Sequence, residues 1–172
     1  QYYAFFFGVA SPESHPELWA RLRDEFGPAR KQNNAYPDVA FANAFIGNYL
    51  RLELLSRERL ARQILEESIA EYLVMADMTG TLWENLPSAV HSLASCNHGF
   101  AAHIVRVLYR DVLGVYEVSP QEKRVTLRFT DCGLHRCKGS IPVGNESIDM
   151  EWTRRNDTLD CKLSLPEGYT YD

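Results

Sequence analysis

The sequence predicts a mainly helical region followed by a β-module, and the change falls near Gly114. Up to that glycine, apolar residues recur at intervals of three and four, the period of amphipathic helices. After it, stretches such as Arg124–Thr130 and Leu159–Leu165 alternate apolar and polar residues, the period of half-buried strands. We therefore expect residues 1–114 to be helical and residues 115–172 to form an antiparallel β-module.

Four helices are predicted in the first region. Ser14-His-Pro-Glu17 is typical of a capping box, so the first helix is expected to start there and to stop before Gly27-Pro28. A second, well-buried helix is expected after Pro37-Asp38, and Ser56 is expected to cap a third. The fourth ends at Gly114, and its apolar stripe comprises Phe100, Ile104, Val105, Leu108 and Val112.

The clearest strands are Arg124–Thr130, Ser147–Trp152 and Leu159–Leu165. Asn156-Asp157, between the last two, is typical of a tight turn. We therefore expect these two strands to form an antiparallel hairpin.

Composition excludes several classes of function. The net charge of -5 leaves no basic face for nucleic acid. No apolar run approaches the roughly 20 residues that a membrane-spanning helix needs, and the short Tyr2–Gly8 segment lacks the basic start and the cleavage site of a signal peptide. Because the chain lacks an initial Met and opens inside an apolar run, we expect its N-terminus to be a cut within a longer domain.

The cysteines favour no metal site. His135 lies between Cys132 and Cys137, but their spacing differs from that of a zinc knuckle and no second pair completes the set. Neither a metal nor another cofactor is therefore predicted. Whether Cys132 and Cys137 form a disulfide stays open at this point.

Two short motifs carry the candidate chemistry. Met78–Asn85 places Trp83 beside Glu84 in a glycine-containing loop, and Ser95–Phe100 contains His98. The aromatic ring could stack on a sugar, the carboxylate could activate water, and the imidazole could hold a hydroxyl. The residues alone also allow a surface role for Glu84, a backbone-satisfied His98 and a core position for Trp83. Tyr36 is a further substrate candidate.

The order of these features resembles the C-terminal part of bacterial α-L-rhamnosidases of glycoside hydrolase family 78. The similar segments are Thr79–Glu84, Ser95–His98, Val107–Gly114 and a strand module that ends in Leu165–Gly168. The resemblance implies that residues 1–114 are the last helices of an (α/α)6 toroid. Residues 115–172 would then be an incomplete, antiparallel β-sandwich-like module, and the chain would be a fragment.

The same resemblance implies a function. Members of the family hydrolyse terminal α-L-rhamnosyl linkages with inversion, so Glu84 would be the general base, and His98, with Trp83 as a stacking candidate, would contact the sugar. The general acid would come from an earlier part of the toroid, and the fragment alone is expected to be inactive. Its implied partners are a rhamnosylated glycan or glycoside and the upstream part of the same domain. A periplasmic or secreted location is favoured over a cytoplasmic one.

Two other classes of function remain open. The first is another (α/α)6 glycosidase, or a phosphorylase, that acts on a different sugar; the sequence near Glu84 lacks the Ser/Gly/Arg cluster that a phosphorylase would use for phosphate. The second is a non-catalytic carbohydrate-binding module. The absence of a second catalytic acid favours this class, whereas the pairing of Glu84 with His98 opposes it.

Overall fold

A computed structural model describes residues 1–31, 35–40, 42, 45–86 and 95–172. In these ranges helices come first and mainly antiparallel sheets follow, which confirms the predicted order of helix and strand. The chain divides into two compact units. The helical unit comprises Gln1–Glu58 and Gln63–Ile104, and the β-unit comprises Arg59–Arg62 and Val105–Asp172.

The helices vary widely in length. The α-helices are α1 (Tyr2–Phe6), α2 (Pro16–Asp24), α3 (Gly47–Arg57), α4 (Ala61–Thr79) and α5 (His103–Val107). Short 3-10 helices cover Pro28–Lys31 and Gly99–Ala102, and a π-helix covers Leu108–Leu113. Among the residues that the structure describes, no helix combines the length and apolarity needed to cross a membrane.

The start of α2 differs from the predicted capping box. His15 occupies the N-cap and makes no side-chain cap hydrogen bond. The Ser14 hydroxyl was predicted to cap the helix, but it donates instead to the Ser11 carbonyl oxygen at 3.2 Å, within the turn before the helix. Pro16 does occupy the first helical position, where its missing N–H costs no hydrogen bond.

The predicted second helix begins later than expected, at Gly47. The segment after Pro37 is held in a non-helical turn, because the Arg30 guanidinium donates to the carbonyl oxygens of Val39 at 2.9 Å and Ala40 at 3.0 Å. Phe41 and Ala44, which the prediction assigned to this helix, lie outside the described residues.

Ser56 does not cap the third helix. It is buried inside α3, which continues through Arg57 before the chain turns and α4 begins at Ala61. The turn occurs at Arg59, whose φ of 58° is left-handed. The prediction failed because Leu52, Leu54 and Leu55, which precede Ser56 in α3, are buried and keep that stretch of the helix in the core of the helical unit.

Arg51 organises the interior of the helical unit. Its guanidinium pairs with Glu67 through Nε at 2.7 Å and Nη2 at 2.6 Å, and it also donates to the Tyr2 hydroxyl and to the carbonyl oxygens of Leu22 and Arg23. These bonds use all five guanidinium N–H groups. Burial is the largest single influence and acts to lower the pKa of Arg51, but the hydrogen bonds and charge interactions with Glu67 and Tyr2 together outweigh it and raise that pKa above its ordinary value.

The region that precedes the strands ends as predicted but packs differently. Gly114 ends the π-helix with a left-handed φ of 91°, and a Cβ there would lie 2.5 Å from the Phe129 ring, so the position requires glycine. On the predicted apolar stripe, Ile104 and Val112 are buried. Phe100, Val105 and Leu108 are exposed, Phe100 to 79%, so their assignment to one buried stripe is wrong.

Residues 115–172 form two three-stranded sheets. In the first, β2 (Arg124–Leu127) pairs antiparallel with β1 (Val115–Ser119) and parallel with β6 (Thr170–Tyr171). The second has the order β3 (Arg136–Val143), β4 (Glu146–Arg155), β5 (Thr158–Ser164), and both of its pairings are antiparallel. The predicted hairpin is β4–β5: Arg155 pairs with Thr158 across Asn156-Asp157, which confirms that prediction.

One face of β4 supplies the core of the β-unit. Ile148, Met150 and Trp152 are buried on alternate positions, and the Trp152 indole donates to the Leu113 carbonyl oxygen at 3.1 Å. Asp111 is also buried, and it accepts from Arg110 Nε at 2.9 Å and from Arg128 Nη2 at 2.7 Å. The two guanidinium groups offset the free-energy cost of burying this carboxylate.

All four cysteines are free in this structure. Cys132 is buried and Cys137 is half-buried, and no disulfide joins them. Burial raises the pKa of the Cys137 thiol above its ordinary value.

Candidate functional site

The loop that carries Glu84 begins where α4 ends. Gly80 has a left-handed φ of 66°, and its N–H donates to the carbonyl oxygens of Met75 at 3.2 Å and Ala76 at 3.0 Å. This geometry is a usual helix C-terminus, and glycine adopts it without steric cost. The chain therefore leaves the helix axis just before Trp83 and Glu84.

The segment that contains Trp83 and Glu84 lies beside the segment that contains His98. The Glu84 N–H donates to the Ser95 carbonyl oxygen at 2.9 Å, and the His98 N–H donates to the Leu82 carbonyl oxygen at 2.8 Å. These two bonds join short segments that run in opposite directions, so the two motifs singled out by sequence meet in the folded helical unit.

Glu84 is half-buried, and its carboxylate is anchored at one oxygen. The Ser95 N–H donates to Oε2 at 3.4 Å, a long and weak hydrogen bond. No cation in the described part of the chain forms an ion pair with this carboxylate. Glu84 thus keeps lone pairs that could accept a proton from a water molecule.

His98 presents a polar atom that the described residues leave unsatisfied. Its ring is half-buried, and Nε2 is buried without a described hydrogen-bond partner. Two aromatic rings flank the imidazole, with centroids 4.7 Å away for Phe45 and 5.8 Å away for Phe100. Because a buried nitrogen without a hydrogen bond is costly, Nε2 is suited to a partner that is not part of the protein.

Trp83 lies in the core beneath the loop. Only 3% of the residue is exposed, its ring packs with Met75 and Leu86, and its indole nitrogen donates to Thr79 Oγ1 at 2.7 Å. This position anchors the loop to α4. The structure thus gives Trp83 protein neighbours, and its predicted role in stacking on a sugar stays a prediction.

Tyr36 makes its described contacts in another part of the helical unit. Its hydroxyl donates to Glu25 Oε2 at 2.6 Å, and its ring stacks on Phe26 at 4.8 Å. The hydrogen bond to Glu25 raises the pKa of Tyr36 above its ordinary value. None of these contacts involves Glu84 or His98.

Sequence reasoning missed the aromatic surroundings of His98 and of His103, the first residue of α5. Phe45 and Phe100 flank His98, and Tyr49 packs edge-on against His103 at 4.2 Å. His103 Nε2 also lies 3.0 Å from Glu53 Oε1. Position alone could have suggested Phe100, which is two residues from His98, but its helical spacing indicated the core instead.

A cavity of about 190 Å³ opens in the helical unit, and Leu86 of the Glu84 loop lines it. Its walls also include Tyr2, Phe26, Arg30 and Arg51. The two arginines are engaged with carbonyl oxygens and, for Arg51, with Glu67. They therefore support the fold, and they do not mark an anion site.

The described residues contain no group of three or more His, Cys, Asp or Glu side chains that could hold a metal ion.

Comparison with known proteins adds no relative. No protein-family model, no curated protein and no solved structure matches the chain.

Proposed function

We propose that this chain is part of an inverting glycoside hydrolase that resembles the α-L-rhamnosidases, with Glu84 as the general base and His98 as a sugar contact. One observation carries the proposal: backbone hydrogen bonds place the Glu84 loop beside the His98 segment. A carboxylate free of ion pairs with described cations and a buried imidazole nitrogen open to a partner thus belong to one small region.

The proposed reaction is the displacement of the leaving oxygen from the anomeric carbon by a water molecule. Ionised Glu84 removes a proton from a water molecule as that water attacks, and the bond to the leaving oxygen breaks on the opposite side of the sugar. Inversion requires a second carboxyl group roughly 6.5–9.5 Å from the first, which protonates the leaving oxygen. In this proposal that acid belongs to a part of the catalytic domain outside these 172 residues.

Four acidic side chains of the helical unit, Glu53, Glu58, Glu67 and Asp77, are poorly suited to the role of the acid. Glu67 is paired with Arg51 at 2.6 Å, and Glu53 lies 3.0 Å from His103. Asp77 and Glu58 are exposed, and neither lies in the kind of buried site that a catalytic carboxylic acid usually occupies. The finer architecture, the last helices of an (α/α)6 toroid with a β-sandwich-like module, belongs to the same proposal.

Non-catalytic carbohydrate binding is the second candidate function. It is favoured because the described carboxylates with buried partners, Glu53 and Glu67, are already committed within the protein. In that case His98 would still contact a sugar, but Glu84 would only shape the loop.

A substrate with a very good leaving group tests the proposal without the missing acid. The chain alone is expected to be inactive on ordinary glycosides, but the 2,4-dinitrophenyl leaving group of an α-L-rhamnoside departs without protonation, so the base alone can support turnover of this substrate. We expect slow release of dinitrophenol by the wild-type chain and a loss of about 100-fold or more in Glu84→Gln. Alkyl rhamnosides, which need the acid, should not react.

Glu66→Gln is the matched control, because Glu66 is an exposed glutamate of the same helical unit. Its rate should equal that of the wild type. Equal rates for wild type and Glu84→Gln would remove Glu84 from the mechanism. Sugar binding without any turnover of the activated substrate would favour the non-catalytic alternative.

A further inference from the structure

Phe100 is the most exposed aromatic residue near the two motifs. It lies in the 3-10 helix Gly99–Ala102, and 79% of its surface is accessible to solvent. A phenylalanine in this state leaves a large apolar face in water, and a ligand that covers this face would gain the free energy of its burial.

The backbone holds Phe100 in this position. The Ala101 N–H donates to the His98 carbonyl oxygen at 3.0 Å, and Ala101 itself is 1% exposed. With Ala101 packed in the core and His98 bonded through its N–H to Leu82, the intervening Phe100 is left at the surface. Its exposure therefore follows from the register of a bonded turn.

Phe100 also lies beside the unsatisfied nitrogen of the site. Its ring centroid is 5.8 Å from that of His98, whose Nε2 lacks a described partner. Phe45 covers the imidazole at 4.7 Å and is itself half-buried. An exposed apolar face thus lies beside a nitrogen that is shielded from solvent and lacks a described hydrogen-bond partner, and an apolar protein interface would leave that nitrogen unsatisfied.

We propose that Phe100 is the platform on which the sugar stacks, while His98 Nε2 exchanges a hydrogen bond with a sugar hydroxyl. The C–H groups of a pyranose face carry partial positive charge and suit the negative face of an aromatic ring. A 6-deoxyhexose fits best, because its methyl group adds apolar surface where other hexoses carry a hydroxymethyl group. This inference rests on the proposed function and assigns to Phe100 the stacking role for which Trp83 was the sequence candidate.

Other exposed apolar residues lack this combination. Tyr3 and Phe7 stack on each other at 6.3 Å, and Ile69, Leu73 and Met78 lie exposed on α4. None of these has a described unsatisfied polar side-chain atom beside it. They provide apolar surface without the hydrogen-bonding group that distinguishes a sugar from a purely apolar ligand.

The test is a titration of the full 172-residue chain with methyl α-L-rhamnopyranoside, followed by amide shifts in NMR spectra. We expect wild-type binding in the millimolar range, a roughly tenfold weaker Kd for Phe100→Ala, and recovery in Phe100→Trp, since a larger ring restores the platform. Phe7→Ala is the matched control, because Phe7 is 70% exposed in the same unit, and its Kd should equal that of the wild type.

Three results would overturn the inference: unchanged binding by Phe100→Ala, no binding by the wild type, or a loss in Phe100→Ala that Phe100→Trp does not restore. If Phe100→Ala instead changes only the oligomeric state in sedimentation experiments, the exposed ring serves a protein contact and the inference is wrong. Unchanged turnover in Glu84→Gln would refute the proposed function, whereas this inference depends on the Phe100 binding data.

Discussion

The helical unit and the β-unit achieve their order in different ways. In the helical unit, Arg51 bonds to Tyr2 and to the backbone of Leu22, which lie 49 and 29 residues away in sequence. In the β-unit, β3, β4 and β5 pair with their neighbours in sequence through continuous antiparallel registers. The packing of the helical unit thus depends on contacts between segments that are distant in sequence, while the β3–β4–β5 sheet depends on pairing between strands that are adjacent in sequence.

The difference explains where a single polar substitution should matter most. A buried cation that ties several segments together destabilises the fold when it is removed, because its partners lose their hydrogen bonds at once. A turn residue between adjacent strands affects only local backbone energy. The following substitutions compare the two cases.

Arg51→Met should have the largest effect. It removes the charged donor of Glu67 and of the Leu22 and Arg23 carbonyl groups, and only the neutral Gln63 amide still donates to Glu67 and to the Arg23 carbonyl oxygen. We therefore expect the free energy of unfolding to fall by about 4 kcal/mol. Urea denaturation followed by tryptophan fluorescence measures this change. Arg23→Ala is the control, since the Arg23–Asp24 pair is exposed and should contribute about 0–1 kcal/mol. Similar losses for the two variants would contradict the organising role of Arg51.

Asp111→Asn tests the exception within the β-unit, where a polar group is deeply buried. We expect a loss of about 3 kcal/mol in the free energy of unfolding, because Arg110 and Arg128 would keep their charges without the carboxylate. The control is Asp131→Asn, an exposed partner of Arg62, for which only a small change is expected. Thermal unfolding monitored by circular dichroism compares the stabilities of the two variants. A smaller loss of stability for Asp111→Asn than for Asp131→Asn would show that the buried carboxylate does not stabilise the β-unit.

Asn156→Ala should have a small effect. Asn156 has a φ of 55° in the β4–β5 turn, and alanine adopts this left-handed conformation less readily, so about 1 kcal/mol should be lost. Asn156→Gly should match or exceed the wild-type stability, because glycine has no such cost. Chemical denaturation of both variants measures the difference. A glycine variant less stable than the alanine variant would show that the Asn156 side chain, and not its backbone, holds the turn.

The parts of the fold that depend on local pattern were predictable from the sequence. The β4–β5 hairpin, its Asn156-Asp157 turn and the helix end at Gly114 all agree with prediction. The starts of α2 and α3 were predicted wrongly, because Ser14 bonds to Ser11 and Arg30 fixes the turn before α3. Such choices between competing hydrogen bonds depend on contacts that a periodic pattern does not contain.

The candidate site was predictable only in part. Sequence singled out Glu84 and His98, and the structure places their segments side by side. It did not separate the roles of the nearby aromatic residues. Trp83, expected as a stacking candidate, is buried, whereas Phe100, expected in the core, is exposed. In the short 3-10 helix Gly99–Ala102, a shift of one residue in register decides whether Phe100 or Ala101 faces the core, and apolar spacing does not resolve that register.

The configuration of the first sugar released tests the central claim most directly. The wild-type chain would be mixed with 2,4-dinitrophenyl α-L-rhamnoside, and the anomeric protons of the product would be followed by NMR before mutarotation. A general base at Glu84 predicts that β-L-rhamnose appears first, and that Glu84→Gln releases almost none. Initial release of α-L-rhamnose, or an undiminished rate in Glu84→Gln, would contradict the account.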